Sequence, residues 1–209
     1  MKLTIFGATG RTGIHLLEQA LEANHDVRAV VRNPAKISIT HARLQVVQAE
    51  LGDAKSLETA MAGTDAVLSA LGPIPKGPSD VMTIAAKNIV AGMNTNGVRR
   101  LVTLTGAGVD QPGDQPKLIN KFISFMLRTL QKDILIDSVE HARIVRESKL
   151  DWTIVRVPVL GDGPRTGKYR VGMVGINDGV RISRADVAEF MLKQLEPGAA
   201  LQIAPVVSH

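Results

Sequence analysis

An α/β domain is what this sequence predicts: a parallel sheet with helices packed on both of its faces, in a single domain spanning residues 1–209. Three observations carry that expectation. Short apolar runs alternate with amphipathic stretches along most of the chain. Glycine- and proline-rich pieces at 72–78 and 106–116 each follow an apolar run directly, where the strand-end loops of an open sheet belong. The length suits one domain, and no repeat, low-complexity tract or long linker divides it. Parallel strands need crossovers that lie on the sheet, so right-handed connections through helices are expected.

Taken in order, residues 3–6 form a first strand. The stretch 12–23 follows as a helix with Ile14, Leu17 and Leu21 on one face. Residues 27–31 are apolar enough for a strand buried on both sides. A third strand is expected at 44–47, a short helix at 55–61 and a fourth strand at 66–71. A helix at 81–94 turns Ile84, Ala85, Ile89 and Val90 inward and is closed by Asn96-Gly97. A fifth strand follows at 101–105. The long helix 134–148 would present Val139, Ala142 and Val145 to the core, and a sixth strand is expected at 153–157. Ser183-Arg184-Ala185-Asp186 resembles a capping box and opens a late helix with Ala188, Met191, Leu192 and Leu195 inward. The last strand is placed at 201–204.

Hydrophobic residues make up 44% of the chain and charged residues 22%, a balance that supports a packed core and excludes intrinsic disorder. Aromatics are few (four Phe, one Tyr, one Trp), so aliphatic side chains must fill the interior. The absence of cysteine excludes disulfides, thiolate metal sites and a cysteine nucleophile. None of the five histidines stands at metal-ligand spacing with carboxylates, and no metal site is assigned. The net charge of +5 is scattered, and with so few aromatics for base stacking no nucleic-acid partner is expected. That charge excess suits an anionic small molecule. No signal peptide opens the chain and no apolar run approaches ~18 residues, so no membrane span and a cytoplasmic location are expected.

The chemistry concentrates at Gly7-Ala8-Thr9-Gly10-Arg11-Thr12-Gly13, which joins the first strand to the first helix. In that setting Gly7 takes the tight turn, Gly10 lets backbone approach a pyrophosphate, and Gly13 lets helix and strand pack closely. Free N–H groups and the positive dipole end of the helix then face the phosphates, with Arg11 and Thr12 adding a charge and a hydroxyl. The pattern predicts a Rossmann-like, doubly wound dinucleotide-binding fold.

The end of the second strand selects the dinucleotide. A carboxylate there would accept from the ribose 2′-hydroxyl of NAD, but this chain has Arg32, with Lys36 four residues on. A guanidinium suits a 2′-phosphate through bidentate hydrogen bonds, so NADP(H) is the expected cofactor. Asp53, after Gly52, reads equally as an acceptor for the adenine amino group or as a turn and helix cap. Small residues at 69–72 either admit ribose and pyrophosphate or simply pack. Thr105 ends the fifth strand toward the nicotinamide position, where it donates to a substrate carbonyl or serves only as a good strand residue.

GATGRTG, VVRNP, LGD, ALG, RESKLDWTIVRVPVLGDGP and ISRADVAEFML together resemble the atypical short-chain dehydrogenase/reductases. More narrowly, the chain is similar to the NmrA-like group that includes the biliverdin/flavin reductases. The resemblance implies a Rossmann fold, bound NADPH, a monomer, and a small-molecule acceptor of the flavin, biliverdin or quinone class. It implies that Gly7, Thr9, Gly10, Arg11 and Thr12 meet the pyrophosphate and that Arg32 with Lys36 holds the 2′-phosphate. Asp53 with Ala54 would meet adenine, and Leu71 and Gly72 the ribose and nicotinamide side. Pro158 would flank the nicotinamide and Val159 the substrate pocket, within a small substrate-side segment at 158–182.

The chain also departs from that pattern. The positions expected for the short-chain dehydrogenase Tyr-x-x-x-Lys pair hold Ile134 and Ser138, and the single tyrosine, Tyr169, lies beyond the sixth strand. Gly106 replaces a serine of the flavin reductases, and Val159 replaces a histidine. Hydride transfer to an electrophilic flavin-like or quinone-like ring needs proximity more than a strong acid. The expected activity is therefore an NADPH-dependent reductase with Thr105 as donor; the alternative is a non-catalytic NADP(H)-binding redox sensor acting through a partner. His141 is expected to be a surface or structural histidine. Arg165, Lys168 and Arg170 either meet an anionic substrate or decorate a solvated loop.

Overall fold

A computed structural model describes residues 1–73, 77–117 and 131–209 of the chain. Its strands are β1 (Lys2–Phe6), β2 (Asp26–Val31), β3 (Leu44–Gln48), β4 (Ala66–Ser69), β5 (Arg100–Gly106), β6 (Asp151–Val157), β7 (Val159–Gly161), β8 (Arg170–Gly172), β9 (Arg181–Ser183) and β10 (Val206–Ser208). The described helices are α1 (Gly13–Glu22), α2 (Ala54–Ala60), α3 (Val81–Thr95), α4 (Lys132–Glu147) and α5 (Arg184–Lys193). Eight strands form one sheet in the order β3-β2-β1-β4-β5-β6-β10-β8, parallel except for β8, which pairs antiparallel with β10. β7 and β9 make a separate parallel pair. This is the Rossmann-like α/β arrangement that the sequence predicts. Among the described residues no helix is long and apolar enough to cross a membrane.

Alternation along the central strands divides the core into two layers. Leu3 and Ile5 of β1 face α1 and α5, packing with Leu16, Leu17, Ala20, Val187 and Met191. Phe6 faces the other side, where Leu57, Ile89, Met93, Ala142 and Val145 bring in α2, α3 and α4. Helices therefore cover both faces, as continuous parallel strands require.

Three local expectations are corrected. Regular pairing of the last strand begins at Val206 rather than within 201–204, where Ile203 makes only an isolated bridge to Thr153. Gln202 is left-handed (φ 56°), and Pro205 has no N–H to give, which delays a regular ladder. The segment 158–182 carries three short strands that its glycine content concealed. On α4, Val139 is 44% exposed, while Asp137 and His141 join Ala142 and Val145 on the buried face.

The buried face of α4 is polar for a reason found on another helix. The carboxylate of Asp137 accepts from the backbone N–H groups of Met82 (2.9 Å) and Thr83 (2.8 Å), in the first turn of α3. Asp80, the residue at the N-cap of α3, makes no side-chain cap. Asp137 thus satisfies orphan donors from across the helix–helix interface. Asp137→Ala should lower stability by about 2 kcal/mol, because two buried amides lose their charged acceptor. The shift of the urea-unfolding midpoint against wild type checks this.

Candidate functional site

The sheet order reverses between β1 and β4, and the crevice outside their carboxyl ends is where open α/β sheets take ligands. A cleft of about 390 Å³ lies there, lined by Gly7, Thr9, Gly10, Arg11 and Thr12 from the turn and by Arg32 from the end of β2. Gly7 is left-handed (φ 77°), and a Cβ on it would lie 2.9 Å from the Ala70 carbonyl group that follows β4. A Cβ on Gly13 would sit 1.9 Å from the Gly7 oxygen, so helix and strand touch backbone to backbone. The N–H of Gly10 donates to the Gly7 carbonyl (2.9 Å), closing the turn. Thr12, at the N-cap of α1, makes no side-chain capping bond, so the helix start has no side-chain acceptor, although the Ile14 amide is taken by the Gly10 carbonyl (2.9 Å). A cradle that side chains would fill, with an uncapped helix end beside it, fits the diphosphate of a dinucleotide.

Arg32 is exposed on the cleft wall, and its guanidinium makes no hydrogen bond or ion pair among the described residues. Its carbonyl is held by Gln48 Nε2 (3.1 Å). Lys36 ends a 3₁₀ turn (Pro34–Lys36) outside the lining. Asp53 is the N-cap of α2, accepting from the amides of Lys55 and Ser56 (both 3.1 Å) and from the Ser56 hydroxyl (2.5 Å). Asp53 and Ala54 both stand outside the lining, and Ala49 and Leu51, at the end of β3, line the cleft instead. Sequence reading passed over these two because apolar residues after a strand carry no chemical signal.

A second cavity of about 450 Å³ continues from the first, sharing Thr12, Leu71, Gly72 and Arg184 with it. Thr105 and Pro158 line it, and the Thr105 hydroxyl is buried without a partner among the described residues. Val159 is 62% exposed and outside the lining; Leu160 faces in, since neighbours on an extended strand point to opposite sides. Ile134 and Ser138 both line the cavity, the Ser138 hydroxyl donating to the Ile134 carbonyl (2.8 Å). Tyr169 packs edge-on against Phe190 (5.8 Å between centroids), away from the cavity. Among the described residues the lining contains no Tyr, His, Lys, Asp or Glu, and Arg184 is its one charged side chain.

Two arginines escaped the sequence reading. Arg156 of β6 is fully buried, paired with Asp114 through two hydrogen bonds (2.7 and 2.8 Å) and bonded to the carbonyls of Ala204 and Val109. Asp114 also accepts from the Val174 amide (3.1 Å), so the loop after β5 is tied to the segment after β8. Arg184 opens α5 directly after the Ser183 cap, whose hydroxyl accepts from the Asp186 amide (3.0 Å). Its position within the expected capping box was the one available signal. The basic residues of the glycine-rich segment stay outside both cavities; Arg165 meets Glu22 (3.3 Å) and Arg170 reaches the carbonyl of His209.

His141 lies beneath the cavity rather than in it. It is buried, its Nε2 is 3.1 Å from the Thr103 hydroxyl, and burial pushes its pKa down to about 4.

Residues 7–197 match the NAD(P)H-binding family. The chain is 28% identical over 154 residues to (4-alkanoyl-5-oxo-2,5-dihydrofuran-3-yl)methyl phosphate reductase of Streptomyces griseus subsp. griseus. It is 27% identical over 155 residues to NAD(P)H azoreductase of Xenophilus azovorans. Both alignments cover 74% of this chain but 46% of the relative, so the chain matches less than half the length of either reductase. Among solved structures, a short-chain dehydrogenase/reductase from Veillonella parvula in complex with NADP superposes with a TM-score of 0.80, at 20% identity, covering 100% of this chain and 94% of that one.

The lowered pKa of His141 predicts a pH dependence. The unfolded ring takes its proton near pH 6.5 and the folded one near 4. The neutral ring's contribution, about 3 kcal/mol, is complete above pH 6.5 and lost as pH falls toward 4. Ring chemical shifts of His141 should stay flat from pH 8 down to about 5, while urea midpoints hold steady above about pH 6.5 and fall from there toward pH 4. A ring that titrates near 6.5 in the folded protein contradicts this assignment.

Proposed function

This chain belongs to the NAD(P)H-binding family, and we propose that it is an NADPH-dependent reductase of a flavin-like or quinone-like acceptor. The supporting observation is the pair of contiguous cavities. One fits a dinucleotide, and the described lining of the other is mostly apolar around the buried Thr105 hydroxyl, which has no partner among the described residues. The two relatives named as reductases, and the NADP carried by the Veillonella parvula protein, agree with this reading.

Bound NADPH would supply the hydride. The glycine turn and the open end of α1 hold the diphosphate, with Thr9, Gly10 and Thr12 against it. Arg32, free of protein partners among the described residues, takes the 2′-phosphate, with Lys36 adding charge nearby. Leu71 and Gly72 border the space where the two cavities meet, and Pro158 lines the second cavity; these three keep the reacting rings together. The apolar walls, including Leu104, Val157 and Leu160, exclude water and suit a planar acceptor. Thr105 donates its otherwise idle hydrogen bond to the acceptor atom on which charge builds. Without an acidic residue in the described lining, the remaining proton comes from solvent, which electrophilic rings tolerate.

Arg32→Glu should weaken NADPH binding by at least about tenfold and leave NADH binding within about twofold, measured by calorimetry. Equal losses for both nucleotides contradict the role given to Arg32. Stopped-flow mixing of NADPH with FMN, riboflavin and simple quinones should show oxidation above background for at least one acceptor. Thr105→Val should then lower kcat/KM about fivefold with NADPH affinity unchanged. Tight NADPH binding with no oxidation by any acceptor would replace the reductase with the redox-sensor reading.

A further inference from the structure

Asp162, just past β7, is exposed, yet it bridges two guanidiniums from separate parts of the fold. Its Oδ2 accepts from Arg11 of the glycine turn (2.5 Å), and its Oδ1 from Arg184 at the start of α5 (2.5 Å). Arg11 is as exposed as Asp162, with side chains at 69% and 63%, whereas the Arg184 side chain is 10% exposed. Arg184 therefore keeps a buried guanidinium at the junction of the two cavities, and its sole hydrogen-bond partner among the described residues is a solvent-facing carboxylate. A buried cation is costly unless an anion meets it. The space on its cavity side is open.

The segment leading away from Asp162 is anchored at its far end. The Thr166 amide and hydroxyl and the Gly167 amide all donate to Asp186 (2.7, 2.9 and 2.9 Å). Asp186 is fully buried; burial alone would raise its pKa, but those amides, His209 and the Ser183 hydroxyl hold it down at about 2. Between the ends, the Ser183 hydroxyl lies 3.0 Å from the Pro164 carbonyl. One end of this strap is fastened to a buried carboxylate; the other leaves β7, which is paired with β9, and its Asp162 side chain rests on two arginines at the cleft.

Resting on the dinucleotide reading above, we propose that Arg184 is a diphosphate-binding residue and that Asp162 is its internal stand-in for the diphosphate in the free protein. The carboxylate holds Arg11 and Arg184 at the spacing of an anion bridging both cavities. A diphosphate carries more charge and more acceptor oxygens than one carboxylate, so it takes both guanidiniums and displaces the Asp162 carboxylate into solvent. Asp162 keeps the site preorganised and lowers its affinity at the same time.

The test is calorimetry on the full chain with three probes: NADPH, ADP-ribose (a diphosphate without the 2′-phosphate) and 2′-AMP (a 2′-phosphate without the diphosphate). Asp162→Asn should bind NADPH and ADP-ribose about five- to tenfold tighter and 2′-AMP unchanged. Arg184→Gln should weaken NADPH and ADP-ribose by at least about tenfold and leave 2′-AMP unchanged. If that variant fails to fold by circular dichroism, the exposed Asp162→Asn substitution decides. Unchanged or weaker NADPH binding by Asp162→Asn, or an equal gain for 2′-AMP, overturns the proposal. Wild-type protein that binds no NADPH overturns the dinucleotide reading itself.

Discussion

The backbone contact between Gly7, Gly13 and the strand end at Ala70 is the constraint on which the rest of the site depends. Three pieces of main chain meet there with no room for a Cβ on either glycine. That contact sets how closely α1 approaches β1 and β4, and so where the uncapped helix end points. A side chain at Gly7 or Gly13 would push the helix outward and close the crevice at the reversal of strand order. The dinucleotide cleft is thus a consequence of backbone packing first, and of charge second.

Charge is distributed around that cleft with a consistent logic. Cations that face the ligand space, Arg11, Arg32 and Arg184, are either unpaired among the described residues or paired with an exposed carboxylate that solvent can compensate. Carboxylates that hold the frame are already committed: Asp53 to α2, Asp137 to α3, Asp186 to the strap and Asp114 to Arg156. The buried Arg156–Asp114 pair is weak as a source of stability, because desolvation offsets most of its attraction. Its geometric effect is clearer, since it fixes Asp114 against β6, and Asp114 together with Gln115 holds Val174 of the segment after β8.

Much of the fold was legible because both periodicities are strong on the central elements. Strands β1 to β6 fall within one or two residues of their expected bounds, and Gly7 and Gly13 make the close backbone approaches of the turn. Legibility failed where polar residues face inward or where strand parity decides. Asp137 and His141 sit on the buried side of α4 because α3 needs an acceptor and Thr103 a partner, and no pattern within α4 encodes that. Val159 and Leu160 exchange roles by a single step of strand alternation, the smallest error with the largest effect on which side chain meets a ligand.

The amino-acid sequence by itself determined the order of elements, the glycine turn and the arginine after β2, because these depend on neighbours along the chain. The tertiary structure decided that Asp53 is committed as a helix cap, that two cavities run together, and that Asp162 joins Arg11 to Arg184. Those facts join residues far apart in the chain, and their pairing is set by how the helices lie on the sheet rather than by any local preference.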